Sequence, residues 1–256
     1  MEDVPVLKSA RDLVDRWEEL VEREPGMYMF RGHGKADWHL VPSVGRMYEQ
    51  VKDSYEGWSV VEAQLVSDFR KYSRQFVGQE PRGWIEWLVM VQHHGLPTRL
   101  LDWTTNPLKG LFFAVDDPKH WEEDGRLWAF DSRGYWDVGP EKEVGSGFAG
   151  WVEAVRDEHT SSVEAFYPDH VDARVIAQES CFTKFPFPKE FVAIPPLETL
   201  VPYGLKKGQL HEFRVPRGAK VGIRRELGQL GVCFRTLFPD LDGLATSLRR
   251  DHDLLW

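Results

Sequence analysis

The chain is poor in cysteine, in long apolar runs and in net positive charge, and each scarcity removes a class of protein. Only two cysteines occur in 256 residues, Cys181 and Cys233. Neither belongs to a CxxC pair or to a Cys/His spacing suited to zinc, so a disulfide framework and a structural zinc site are not expected, nor is any other metal. Both lie in apolar contexts, where a free thiol packs as a small hydrophobe, and reduced, at least partly buried cysteines are the expectation. No apolar run approaches the roughly 20 residues a membrane span needs. The start, Met-Glu-Asp-Val-Pro, lacks the apolar stretch of a signal peptide, so the cytoplasm is the expected compartment and no membrane partner is foreseen. A net charge of −9 argues against strong non-specific attraction to nucleic acid. There is no GxSxG elbow and neither cysteine has an adjacent base, while Leu205-Lys206-Lys207-Gly208 lacks the glycines of a P-loop. Hydrolase and nucleotide-triphosphatase readings lose support accordingly.

Large rings, by contrast, are plentiful. Eleven Trp and fifteen Phe suit a core built on aromatic packing, and some could line a pocket for a flat ligand. A hydrophobic fraction of 42% with 29% charged residues is that of a globular chain. No repeat or dividing linker is visible, so residues 1–256 read as one domain with its core at about 9–250.

Helical spacing and stop signals predict a helix from Ser9 to Pro25-Gly26, a strand over 27–31 broken by Gly32 and Gly34, and an extended piece over 38–42. Further helices are expected from Ser43, carrying Arg46, over 58–76 with Val61, Leu65, Phe69 and Tyr72 on one face, and over 82–94 with Trp84, Trp87, Leu88 and Val91 inward. Residues 96–104 read as irregular, and Asn106-Pro107 starts a buried helix. A strand over 126–131 and a Gly-rich loop over 135–150 come next. Short strands follow over 164–167, 181–185, 191–194 and 210–215, then helices over 219–230 and 241–250. Helices first and strands later point to an α+β fold with a small mixed or antiparallel sheet.

Polar residues cluster within apolar surroundings at two places, and buried polar groups must be paired. Arg31 ends an apolar strand against Gly32, where a planar guanidinium could grip a phosphate or pair with Asp102. Gln92, His93, Thr98, Arg99, Asp102 and Thr104 crowd the second cluster. His94 follows Val91 by three residues and reads as a core histidine. Arg31, Gln92, Arg99, Asp102 and Thr104 should therefore surround one cleft.

Three segments carry a family resemblance. They are Tyr28-Met29-Phe30-Arg31-Gly32-His33 with Trp38 to Ser43 and Arg46; Gln92 to Thr104 with Asn106-Pro107 and Phe113 to Val115; and Arg174 to Thr183 with Leu237 to Leu244. Together they resemble the FRG domain, whose name spells Phe30-Arg31-Gly32. Family members usually carry Gln where His33 stands, and a glycine where Ser180 stands. The family is common in bacteria and phages near conflict genes, which implies a toxin or phage-defence role. Tyr28 to Gly32 is also similar to the first-strand element of arginine-class ADP-ribosyltransferases, whose Arg binds NAD phosphates. That likeness implies an ADP-ribosyltransferase-like fold, NAD as cofactor, Thr104, Gln178 and Glu179 as catalytic candidates, and Arg31, Gly32, His33, Arg46, Gln92, His93, Thr98, Arg99 and Asp102 as the cofactor site. Two alternatives stay open. One is a non-catalytic ligand- or partner-binding module, with Arg31, Arg99 and Asp102 as a buried ion network. The other is a nucleic-acid-processing effector whose phosphate track is the basic stretches at 70–74 and 217–225.

Overall fold

The computed structural model describes residues 4–78, 80–133, 150, 152, 163–168, 173–200 and 210–251. Helix α1 (Ala10–Arg23) begins where Ser9 accepts the Asp12 amide and ends at Glu24, before Pro25. It is followed by β1 (Tyr28–His33), a 3-10 turn (Val44–Met47), α2 (Tyr48–Val51), α3 (Trp58–Ser73) and α4 (Trp84–His93). The chain continues through β2 (Leu100–Thr104), α5 (Pro107–Val115), β3 (Gly125–Asp131), β4 (Glu164–Phe166), α6 (Ala173–Ala177) and β5 (Ser180–Lys184). It closes with α7 (Leu197–Leu200), β6 (Leu210–Val215), α8 (Arg217–Gln229), α9 (Phe234–Leu237) and α10 (Leu241–Asp251).

The fold is α+β with a helical N-terminal region, and its described strands form one six-stranded sheet in the order β4-β5-β2-β1-β3-β6. Every strand pairing is antiparallel. Three strands precede residue 132, so the sheet is threaded through the chain rather than gathered in its later part. Alternation along the strands divides the core. Tyr28, Phe30, Leu127, Ala129, Phe213 and Val215 pack on one face against α1, α5 and α8. Met29, Leu101, Trp103, Phe130 and Cys181 pack on the other against Leu40, Val44, Trp58, Ile194 and Leu197. A third cluster joins the inward faces of α3 and α4 to Leu100, Phe166 and Phe182.

Several expectations need correction. Gly32 does not break β1, because β3 pairs with the strand all the way from Tyr28↔Asp131 to His33↔Arg126. Residues 100–104 are a strand, held by β5 from Leu100↔Lys184 to Thr104↔Ser180. Residues 191–194 form no strand; Ile194 is buried in the core and Phe191 packs edge-on against Trp58 at 5.1 Å. Helix α3 ends at Ser73, and Tyr72 points outward, 77% exposed. His94 is exposed and stacks on Phe69 at 5.6 Å instead of entering the core. The loop expected at 135–150 lies outside the described residues, save 150.

One feature of the sheet matters most for function. β1 follows β3 over six rungs but meets β2 at one only, Phe30↔Thr104. Beyond that rung the two central strands part.

Candidate functional site

The parting of β1 and β2 opens a cleft of about 820 Å³. Its lining includes Arg31, Gly32, His33, Arg46, Gln92, His93, Asp102, Thr104 and Gln178. Nine of the twelve residues expected from sequence are thus gathered there. Thr98, Arg99 and Glu179 are not among the lining.

Arg31 sits at the split. Its Nη1 donates to the Asp102 carbonyl at 2.6 Å, across the widening gap between the strands. Its Nε donates to Nε2 of His33 at 3.1 Å, and the Asp102 carboxylate stands 3.7 Å from Nη1. Nη2 has no hydrogen-bond acceptor among the described residues. Burial holds the guanidinium pKa below its ordinary value; Asp102 opposes this and Arg46 reinforces it. Arg46 follows from the 3-10 turn, is exposed, and has no acidic partner among the described residues. Arg31 and Arg46 face the cleft together with Arg174, and of the lining carboxylates, Asp37, Asp102, Asp116 and Asp117, the one beside Arg31 is Asp102, 59% exposed and weakly engaged.

His33 is buried and bonded at both nitrogens. Because the Arg31 Nε–H can only donate, Nε2 must accept, and Nδ1–H donates to the Trp38 carbonyl at 3.2 Å. Desolvation, then the Arg31 charge, push its pKa down to about 3. The neutral ring accepts on one side and donates on the other, as a glutamine amide would.

The opposite wall is built from β2, α6, β5 and Phe238 at the end of α9. Thr104 Oγ1 donates to the Gln178 carbonyl at 2.7 Å and accepts the Asn106 amide at 3.1 Å. Gln178 lines the cleft, and its Nε2 donates to the Leu237 carbonyl at 3.2 Å. Glu179 has φ 49°, the left-handed region, and its carboxylate takes a 2.7 Å bond from Lys109. Burial raises its pKa, but Lys109, Asn106 and Thr105 outweigh burial and hold it low. Left-handed backbone thus falls at Glu179, one residue before Ser180.

Thr98 and Arg99 are structural. Thr98 Oγ1 donates to Gln92 Oε1 and accepts the Leu100 amide, while Ser43 holds its backbone at both ends. Arg99 is fully buried, pairs with Glu62 at 2.7 Å and lies over the Phe187 ring at 3.7 Å. The expected network of Arg31, Arg99 and Asp102 does not exist, because Glu62 on α3 takes Arg99 away from Asp102. Gly32 lines the cleft, but the space its missing side chain leaves is filled by α5: a Cβ there would meet the Gly110 carbonyl and the Ala114 amide.

Sequence reasoning passed over Trp38, Phe113, Arg174 and Phe238, which also line the cleft. All four stand inside or beside the three segments noted above. Arg174 pairs with Asp240 at 2.6 Å and lies over the Phe238 ring at 5.1 Å. No cluster of three His, Cys, Asp or Glu suited to a metal is present among the described residues. Nor is any described helix long and apolar enough to cross a membrane.

Comparison with known proteins agrees with the resemblance over part of the chain. Residues 26–123 match the FRG domain family, a span that runs from before β1 past α5 and carries the Arg31, Gln92, Asp102 and Thr104 walls. Gln178, Arg174 and Phe238 lie outside it. No curated protein and no solved structure matches the chain.

Proposed function

We propose that the cleft binds a phosphate-bearing nucleotide, NAD, and that the protein transfers ADP-ribose from it. The observation that carries this reading is Arg31: a desolvated guanidinium at a break in the sheet, with Nη2 uncommitted and Arg46 beside it. A diphosphate is the ligand such a pair suits, since each phosphate accepts charge-assisted bonds and a guanidinium can meet it with two prongs. In the reaction the bond between ribose C1′ and the nicotinamide nitrogen breaks. Its electron pair leaves with nicotinamide, and an acceptor attacks C1′ and gives up a proton. Charge develops on the ribose in the transition state, where a prearranged acceptor lowers the barrier. Gln178 and Asp102, which both line the cleft, are the side chains for that role. Thr104 acts on the backbone of Gln178, and Glu179, tied to Lys109, supports the turn that presents it.

A non-catalytic binding module is the second reading, favoured by the commitment of the Thr104 hydroxyl and the Glu179 carboxylate to structural bonds. Incubation with NAD separates the two. Nicotinamide release that is lost in Arg31→Ala supports the transferase; binding by calorimetry without release supports the module. Absence of any NAD binding would remove the transferase and leave only a module for another ligand or a partner.

A further inference from the structure

Trp38 is 41% exposed, lines the cleft, and is held on several sides. Its carbonyl takes the His33 Nδ1–H, and its amide donates to the Lys35 carbonyl at 3.3 Å. Its ring meets His120 at 4.8 Å and 79°, and His33 at 6.1 Å and 71°. Both are edge contacts, so no ring among the described residues stacks parallel on the indole. His120 is itself fixed by Glu123 at 2.8 Å, and its carbonyl receives the buried Lys220 amine, which also binds the Gly34 carbonyl. A large ring is thus kept at the cleft by polar bonds to its backbone and neighbours rather than by burial in the core.

The same imidazole that holds the Trp38 backbone also receives Arg31 Nε–H. Arg31, His33 and Trp38 form one chain of bonds, 3.1 Å and then 3.2 Å, through a buried ring. We infer that Trp38 is the platform on which the ligand's flat ring stacks, and that His33 is a positioning residue fixing this platform relative to the Arg31 guanidinium. The cleft then selects molecules bearing a phosphate and an aromatic ring together, namely nucleotides, over free phosphates and sugar phosphates. This rests on Arg31 being a phosphate site, as proposed above.

Calorimetry with inorganic pyrophosphate, ribose 5-phosphate and NAD tests it. NAD should bind wild type at least roughly tenfold tighter than either ring-free probe, the scale of one base stacked on an aromatic side chain. Trp38→Ala should lose about that factor for NAD and leave pyrophosphate unchanged, while Trp38→Phe keeps most of the affinity. His33→Gln, which can accept and donate as the neutral ring does, should retain NAD binding; His33→Ala should fall towards the Trp38→Ala value. If pyrophosphate binds in an Arg31-dependent way but Trp38→Ala leaves NAD affinity intact, the platform is wrong and the phosphate site stands. Full NAD affinity in His33→Ala would overturn the positioning role alone. Should Arg31→Ala change the binding of no probe, both readings fall.

Discussion

Arg31 and His33 are neighbours on one strand whose chemistry differs through their partners. Asp102 is more than half exposed, so Arg31→Ala does not leave a buried carboxylate behind. Its loss of stability should be about 1 kcal/mol, the scale of one hydrogen bond and a weakly engaged pair. Nucleotide affinity should fall by about 1.5–3 kcal/mol, and Arg31→Lys should recover little, because a point charge lacks the two-pronged contact. Melts and calorimetry on both variants check this; a large drop in Tm with affinity unchanged would make Arg31 a structural residue. His33 predicts a pH effect whose sign is fixed. Its folded pKa, about 3, lies below the ordinary 6.5. Between those values the unfolded chain binds the proton and the folded chain does not. Stability from this residue is therefore complete above about pH 6.5 and declines as pH falls towards 3, by at most about 1.4 kcal/mol per pH unit. Glutamine has no such titration. Melts of wild type and His33→Gln from pH 7 to 4 should show wild type losing ground, and parallel curves would count against a neutral, buried His33. At this scale the sequence put both Arg31 and Arg99 at the cleft, and of the two only Arg31 lines it. Both are arginines near the motif, but the Glu62 that claims Arg99 lies 37 residues away.

Helices announced themselves in the sequence because their apolar stripes are local. Trp84, Trp87, Leu88 and Val91 are all buried, as their spacing requires, and α5 is capped by Asn106 with Pro107 in the first turn. Strand β2 was not legible. Asp102 and Thr104 alternate with Leu101 and Trp103 over five residues, too few to outweigh the preceding Pro97, and the partner that settles the matter is β5 some eighty residues on. Helix α5 lies against β1 because both contacts are glycines: a Cβ at Gly110 would stand 2.7 Å from the Phe30 Cβ. Gly32→Ala should therefore force α5 away from the sheet. Its cost is expected at about 1–3 kcal/mol, the range for overpacking, read as a shift in the urea midpoint. Helix α3 is tied to the head of β2 differently, through the buried Glu62–Arg99 pair. Removing one partner of such a pair costs about 3–5 kcal/mol, so Arg99→Ala should be among the most destabilising single changes. If the variant still folds, its NAD affinity should match wild type, since the arginine does not line the cleft.

For the whole molecule, the cleft lies where the central sheet divides, so ligand binding and global stability should be linked. Cys181 reports this well. It is fully buried on β5, opposite Trp103 of β2, and burial pushes its thiol pKa far up. Cys233 is only partly buried, at the first turn of α9. Both are thus at least partly buried, as their apolar flanks imply; at the second, Val232 and Phe234 take the inward positions and leave the Cys233 sulfur near Thr236. Thiol labelling of native protein should therefore be biphasic, with Cys233 fast and Cys181 limited by opening of the sheet. A ligand that binds only the folded state suppresses such opening by RT ln(1 + [L]/Kd), about 2.7 kcal/mol at a hundredfold excess over Kd. Cys181 labelling should then slow by roughly a hundredfold with NAD while Cys233 labelling stays unchanged. The same experiment in Arg31→Ala should show the slowing only at proportionately higher NAD. Equal rates at Cys181 with and without saturating NAD would mean either that this sheet opens without disturbing the cleft or that NAD does not bind there. A calorimetric titration of the same sample distinguishes the two, because only the first predicts a measurable Kd.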